Sequence, residues 1–331
     1  MVRAPHAALL LACLAGPASA GIDVTVTVRG TVEWNQVTTG PLAQLAVDDP
    51  VELGFRLDSD DFVDSASFPT RGYRIDETSF ALVSGATTVG LQNPYPGTPY
   101  FVLRDNDPAV DGFLVADSTD FPTGVDLEAA GGFGQFVNAF HVTYGGSLLG
   151  SLDLLDALGT YDFSGLSVYN WTVDDGPFNP IGIVFEELVI ECTPLPPVTY
   201  CNGKLNSAGC VPFMTADAGI ASLSGPPFHV TAHDLLNGKP GLIFYGFGPN
   251  AAPFQGGTLC IAPPHTRTPV QFAGGSAPPA IDCTGTMTLD VTAVVPASAA
   301  PAWVYLQGWA RDPGDPFGTG LTNGVRVLVC P

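Results

Sequence analysis

From Ile22 to Val329, apolar and polar residues alternate with a period of two in short runs that end at Gly, Pro, Asp or Asn. Successive side chains of a strand point to opposite faces, so this pattern buries one face and wets the other. Ile22, Val24, Val26 and Val28 interleave with Asp23, Thr25, Thr27 and Arg29, and Val51, Leu53, Phe55 and Leu57 interleave with Glu52, Gly54, Arg56 and Asp58. Further strands are expected at 80–83, 88–91, 100–103, 112–115, 135–144, 166–173 and 181–190. The later half adds 228–232, 242–247, 258–262, 286–292, 303–309 and 325–329. Helix signals are sparse. Ser151 would cap a body at Leu152–Leu158 ended by Gly159, and His233–Asn237 before Gly238 is a single turn. The expected fold class is all-β, with two antiparallel β-sandwich or jelly-roll-like domains in tandem.

Charge and sulfur divide the chain in two. Residues 21–191 hold 26 of the 32 Asp/Glu against five Lys/Arg, while 192–331 hold six acids against five bases and six of the seven cysteines. The expected organisation is a signal peptide at 1–20, an acidic domain at 21–192, a proline-rich connector at 193–200 and a disulfide-braced domain at 201–331. Arg3, the apolar run Ala7–Ala15 and the small residues Ala18-Ser19-Ala20 make the signal. Cys13 lies inside that apolar run, too early for a lipobox. Localisation is therefore expected to be secreted, periplasmic or extracellular, with no transmembrane segment. A net charge of −21 without a basic cluster excludes nucleic acid and disfavours anionic membranes.

The six later cysteines, Cys192, Cys201, Cys210, Cys260, Cys283 and Cys330, are expected as disulfides, since no CxxC pair suggests zinc. Six cysteines allow fifteen pairings. Proximity favours Cys201–Cys210 and Cys260–Cys283, leaving Cys192–Cys330 to tie the start of the domain to its end.

Catalytic motifs are missing. Gly165-Leu166-Ser167-Val168-Tyr169 lacks the second glycine of a nucleophile elbow, and Gly131-Gly132-Phe133-Gly134 has no following Lys-Ser/Thr. His229 and His233 are spaced for a helical zinc motif, but Val-Thr-Ala lies between them without a glutamate base, and on a strand they stand far apart. His141 sits in an apolar strand and reads as structural. Glu186-Glu187 would point to opposite faces of a strand and could not act as a pair. Two acidic loops carry oxygen ligands for calcium, the one cofactor the sequence suggests: Asp58, Asp60, Asp61 and Asp64, and Asp105, Asp107 and Asp111. Turn chemistry explains the same residues without an ion. Tyr95 and Tyr100, in a proline-rich loop, offer an aromatic face for a sugar or peptide, and Asn170-Trp171-Thr172 fits a glycosylation sequon.

The segments Cys201–Cys210 (CNGKLNSAGC), 253–260 (PFQGGTLC), 282–285 (DCTG) and 309–313 (WARDP) resemble a module of exported bacterial proteins without assigned function. Arg71-Gly72-Tyr73 and Asp111-Gly112-Phe113 are similar to text in other exported bacterial sequences. The resemblance implies export and a four-cysteine core of Cys201, Cys210, Cys260 and Cys283, with Cys192 and Cys330 as additions. It brings no catalytic residue. The expected function is a non-catalytic binding or structural module at the cell surface or matrix, recognising an extracellular glycan or protein, with its recognising face on the acidic domain. Its rivals are a calcium-dependent carbohydrate binder and a hydrolase whose carboxylates converge only in the fold. The oligomeric state is not legible.

Overall fold

The computed structural model describes residues 21–193 and 195–331; the expected signal segment 1–20 and Pro194 of the connector lie outside the described residues. Regular structure there is β-strand, apart from 3-10 turns at Pro41–Gln44 and Ala297–Ala299. The chain forms two compact units, Gly21–Pro196 with Ala297–Ala302 and Cys330–Pro331, and Pro197–Pro296 with Trp303–Val329.

The first unit contains β1 (Asp23–Asn35), β2 (Pro50–Asp64), β3 (Thr70–Ile75), β4 (Ala81–Ser84), β5 (Thr87–Val89), β6 (Tyr100–Arg104), β7 (Val110–Ala116), β8 (Val125–Gly131), β9 (Gly134–Gly145), β10 (Gly159–Tyr161), β11 (Leu166–Asp175) and β12 (Phe178–Cys192). Hydrogen bonding runs β1-β12-β11-β9-β7-β6-β3-β2 and returns to β1. This unit is a closed eight-stranded antiparallel barrel and not the sandwich expected from the sequence. Alternation looks the same in both, because each buries one face. Closure depends on β1, which pairs β12 along Val24–Asn35 and β2 along Asp23–Thr31. A closed ladder leaves β1 and β2 no free edge.

Eight strands enclose a space that side chains fill. Val24, Val26 and Val28 meet Phe55, Phe101, Phe113, Phe140, Trp171 and Phe185 inside, all at 2 % exposure or less. The rings pack in series, with centroid distances of 5.5 Å for Phe55–Phe101, 5.8 Å for Phe101–Phe113 and 5.6 Å for Phe140–Trp171. Gly30 makes room for Trp171, since a Cβ there would stand 2.8 Å from the indole and 2.3 Å from the Val184 carbonyl. Leu42 and Leu45 close one end, held by Asn35 Nδ2 donating to both their carbonyls. At the other end, the expected helix at 151–158 is a tight turn with Asp156 N–H to Asp153 O and Ala157 N–H to Leu154 O bonds. Leu154 and Ala157 are fully buried, and the Tyr73 hydroxyl accepts from Leu154 N and donates to Leu152 O. Burying two residues this deeply outweighs the weak helical propensity of so short a stretch.

The second unit contains β13 (Val198–Tyr200), β14 (Phe213–Ala216), β15 (Ala221–Ser222), β16 (His229–Leu235), β17 (Pro240–Gly246), β18 (Pro249–Phe254), β19 (Gly257–Ile261), β20 (His265–Arg267), β21 (Gln271–Phe272), β22 (Gly285–Asp290), β23 (Ala302–Arg311) and β24 (Thr319–Cys330). Val198–Tyr200, expected as connector, is a strand paired with β24. The main sheet runs β13-β24-β23-β17-β20, with β15 and β21 at its margins. One face of it packs on the sheet β14-β16-β22, where Gly308 allows the approach: a Cβ there would meet Ala232 Cβ at 3.2 Å. The hairpin β18–β19 covers the opposite face. Gln307, fully buried on β23, accepts from Cys260 N–H and donates to Thr258 O.

The disulfides are Cys201–Cys260, Cys210–Cys283 and Cys192–Cys330, with Cα–Cα distances of 6.1, 6.4 and 6.0 Å. Proximity in sequence misjudged the first two. Cys260 belongs to the hairpin layer, whereas Cys283 precedes β22 on the other side of the main sheet, so these two cannot meet. The loop 201–210 folds around Asn206, whose Oδ1 accepts from Ala208 and Cys210 N–H. Each of its cysteines then reaches a different layer.

Candidate functional site

The alternation of β17 puts Leu242 and Phe244 on the face that looks toward the hairpin. Leu242 is registered with Trp309 of β23, and Phe244 with Gln307 of β23 and Arg267 of β20. His265 is two residues from Arg267 on β20 and shares its face. The hairpin adds Phe254, Gln255 and Leu259 from above. These eight residues, Gln307 excluded, line a slot of about 150 Å³.

Its roof is fixed by hydrogen bonds that begin in the CNGK text. The hairpin loop is the two-residue turn Gln255-Gly256, at φ +47° and +77°, a left-handed geometry that suits glycine. Lys204 Nζ, buried, donates to Gln255 O and Thr319 O at 2.8 Å each and to Asp315 Oδ1 at 2.5 Å. That bond holds the Asp315 carboxyl below its ordinary range. Gln255 Oε1 accepts from Trp309 Nε1 at 3.0 Å, which orients the indole, and Arg311 stacks over the Trp309 ring at 5.6 Å. Buried Asp312 accepts from Ser207 N–H and Oγ–H and from Gly314 N–H. Lys204 and Ser207 of the CNGKLNSAGC segment and Trp309, Arg311 and Asp312 of WARDP are thus engaged around the slot.

Inside, the His265 ring lies 5.3 Å from Phe244, and its Nδ1 is buried with no hydrogen-bond partner. Arg267 stands exposed at the mouth, and among the described residues no carboxylate lies within ion-pair distance of it. The slot is therefore apolar on most sides, with the His265 ring in its wall and the Arg267 guanidinium at its mouth.

The residues singled out by sequence lie elsewhere. Asp58, Asp60 and Asp61 fall where β2 bulges away from β3 between Leu57 and Phe62. Asp58 Oδ1 accepts from Asp60 N–H, Asp61 lies 3.5 Å from Arg74, and Asp64 holds Arg71 at 2.6 and 3.2 Å. Arg71 lowers the Asp64 pKa, chiefly through that hydrogen bond. Asp23, beside this bulge, is raised by burial and by Asp58. In the second acidic loop Asp111 is fully buried and accepts from the N–H groups of Asn106, Leu148 and Leu149. Asp105 Oδ1 accepts from Asn106 Nδ2, and Asp107 lies 3.6 Å from Arg104. Among the described residues no three His, Cys, Asp or Glu side chains gather as metal ligands. Of these carboxylates Asp58, Asp61, Asp64, Asp105, Asp107 and Asp111 face N–H donors or guanidinium groups.

Other candidates are similarly bound. His229 Nδ1 meets Asp217 at 3.1 Å, and His233, stacked on Phe213, bonds the Thr215 hydroxyl. Burial, with a smaller effect of Arg104, lowers the His141 pKa. Glu186 and Glu187 correct an expectation: a bulge opposite Arg29/Gly30 puts both outside, between buried Phe185 and Leu188, and Glu187 is held by Arg29 at 2.6 Å. The Gly132 and Phe133 N–H groups donate to Asp175, and Ser167 Oγ donates to Thr143 O. Tyr95 folds back on the barrel core, its hydroxyl accepting from Asp126 N–H. Asn170 is half-buried, with Nδ2 directed at Thr172 Oγ1.

Sequence reading missed the slot because its residues come from five strands and a turn. The cue present was Leu242-x-Phe244 on a strand whose other face carries Ile243 and Tyr245, a strand apolar on both sides. Comparison with protein-family models, with curated proteins and with solved structures finds no match to this chain.

Proposed function

We propose that this chain is an exported, non-catalytic binding protein whose recognition slot lies in the disulfide-braced unit, with the acidic barrel as its solubilising companion. One observation carries the reading: an apolar, aromatic-walled slot on which Gln255, His265 and Arg267 converge. Such a combination is what small-ligand sites use, apolar walls for affinity and few polar groups for orientation. Export is supported by three disulfides, which persist in oxidising compartments. No helix among the described residues is long and apolar enough to cross a membrane. The reading moves recognition from the acidic unit to its neighbour.

The test is a thermal-shift screen of glycans and small organic ligands against the mature protein and Trp309→Ala and Phe254→Ala variants. Ligands should raise the melting temperature of the wild type and lose that effect in both variants. Hits that stabilise the variants equally would remove the slot from the account.

A further inference from the structure

We infer that the slot takes a single planar apolar ring carrying a carboxylate, a deepening that rests on the slot being the binding site. Size supports one ring, because an apolar cavity of roughly 150 Å³ accommodates benzene and the slot measures about 150 Å³. Wall chemistry favours a flat hydrocarbon ring over a sugar. Leu242, Phe244, Phe254, Leu259 and Trp309 supply no polar side-chain atom to spare, since the Trp309 N–H is spent on Gln255 Oε1. A sugar ring would bury several hydroxyls there without partners, each at a desolvation cost.

The anion follows from charge. In a chain of 32 acids and 11 bases, the barrel's five arginines each lie within 3.6 Å of a carboxylate, and Lys204 lies 2.5 Å from Asp315. Among the described residues Lys239, Arg267, Arg311 and Arg326 have no such partner, and of these four Arg267 is the one that lines the slot. Its planar fork matches a carboxylate in bidentate fashion.

Titration calorimetry on the mature protein tests this with 3-phenylpropionate, its neutral isostere 3-phenylpropanamide, glucuronate, and a short peptide ending in phenylalanine as free acid or amide. The carboxylate should bind at least about tenfold tighter than the amide, the difference a charge-assisted bond produces. Arg267→Gln should erase that preference, so that acid and amide bind alike. The same preference in the peptide pair supports the inference and assigns the ring carboxylate to a polypeptide C-terminus. Equal binding of acid and amide, tighter binding of glucuronate, or failure of every probe would overturn it. The slot itself falls only if hits from the thermal-shift screen are indifferent to Trp309 and Phe254.

Discussion

Each of the barrel's five arginines holds a carboxylate, whereas of the five cations in residues 192–331 Lys204 alone does, among the described residues. The two units differ in the same sense throughout. In the barrel, strand closure and a filled aromatic interior hold the structure, and its excess acid faces outward. In the second unit an open sheet is sandwiched between a smaller sheet and a hairpin, and disulfides tie these layers together. A unit whose arginines all hold carboxylates has no cation left with which to recognise an anion. The one that leaves an arginine without a carboxylate beside an apolar slot has the means.

Reduction should separate the units most sharply. Cys201–Cys260 and Cys210–Cys283 close loops of 59 and 73 residues, worth about 4 kcal/mol each in the chain-entropy account. The paired Ser substitutions should therefore unfold the second unit and leave the barrel's cooperative transition in place, as followed by hydrogen exchange. Loss of both units together would show that the barrel does not stand on its own core.

Lys204→Met is the next largest. It removes the buried ammonium's hydrogen bonds and leaves the partly buried Asp315 without its cation, a change that costs about 1.5–3 kcal/mol. It should also free the Gln255-Gly256 turn and weaken ligand binding, whereas Arg29→Met, an exposed pair in the barrel, should cost about 1 kcal/mol or less. Chemical denaturation of both variants measures the contrast.

Between pH 6 and 4 acid should stabilise the barrel and leave the second unit level, a smaller effect. Burial raises the pKa of Asp23, Asp126 and Asp174 in the barrel. Their folded forms bind protons more readily than the unfolded chain, so barrel stability rises as pH falls toward the unfolded value of about 3.9. In the second unit Asp217, Asp290 and Asp315 are lowered, by hydrogen bonds to His229, Thr292 and Lys204. Their contribution is complete above about pH 3.9 and is lost as pH drops below it through the folded values. The barrel transition should climb between pH 6 and 4 while the other stays level and then falls; parallel curves would contradict this. Smallest of all, calcium added after EDTA should shift neither transition, because Asp111, Asp61 and Asp64 face N–H and guanidinium donors. A rise with calcium would restore the acidic loops as ion sites.

The strands were legible because alternation is local. Val24, Val26 and Val28 announce themselves within seven residues. Closure was not, because pairing β1 to both β2 and β12 brings Val24 against Leu57 and Cys192, partners remote in sequence. The disulfides failed for the same reason. Neighbouring Cys201 and Cys210 reach different layers, and no local rule encodes layers. The turn at 151–158 shows tertiary burial of Leu154 overriding a capped helical pattern. The slot was hidden further, since which cation without a carboxylate stands beside an apolar pocket is known only once the strands of the second unit are placed.

Hydrogen–deuterium exchange of the mature protein with and without saturating 3-phenylpropionate tests the central claim most directly. Added protection is expected at 240–246, 254–259, 265–267 and 305–311, with the barrel unchanged. Protection concentrated at 58–64 or 105–111 would contradict it and return recognition to the acidic unit.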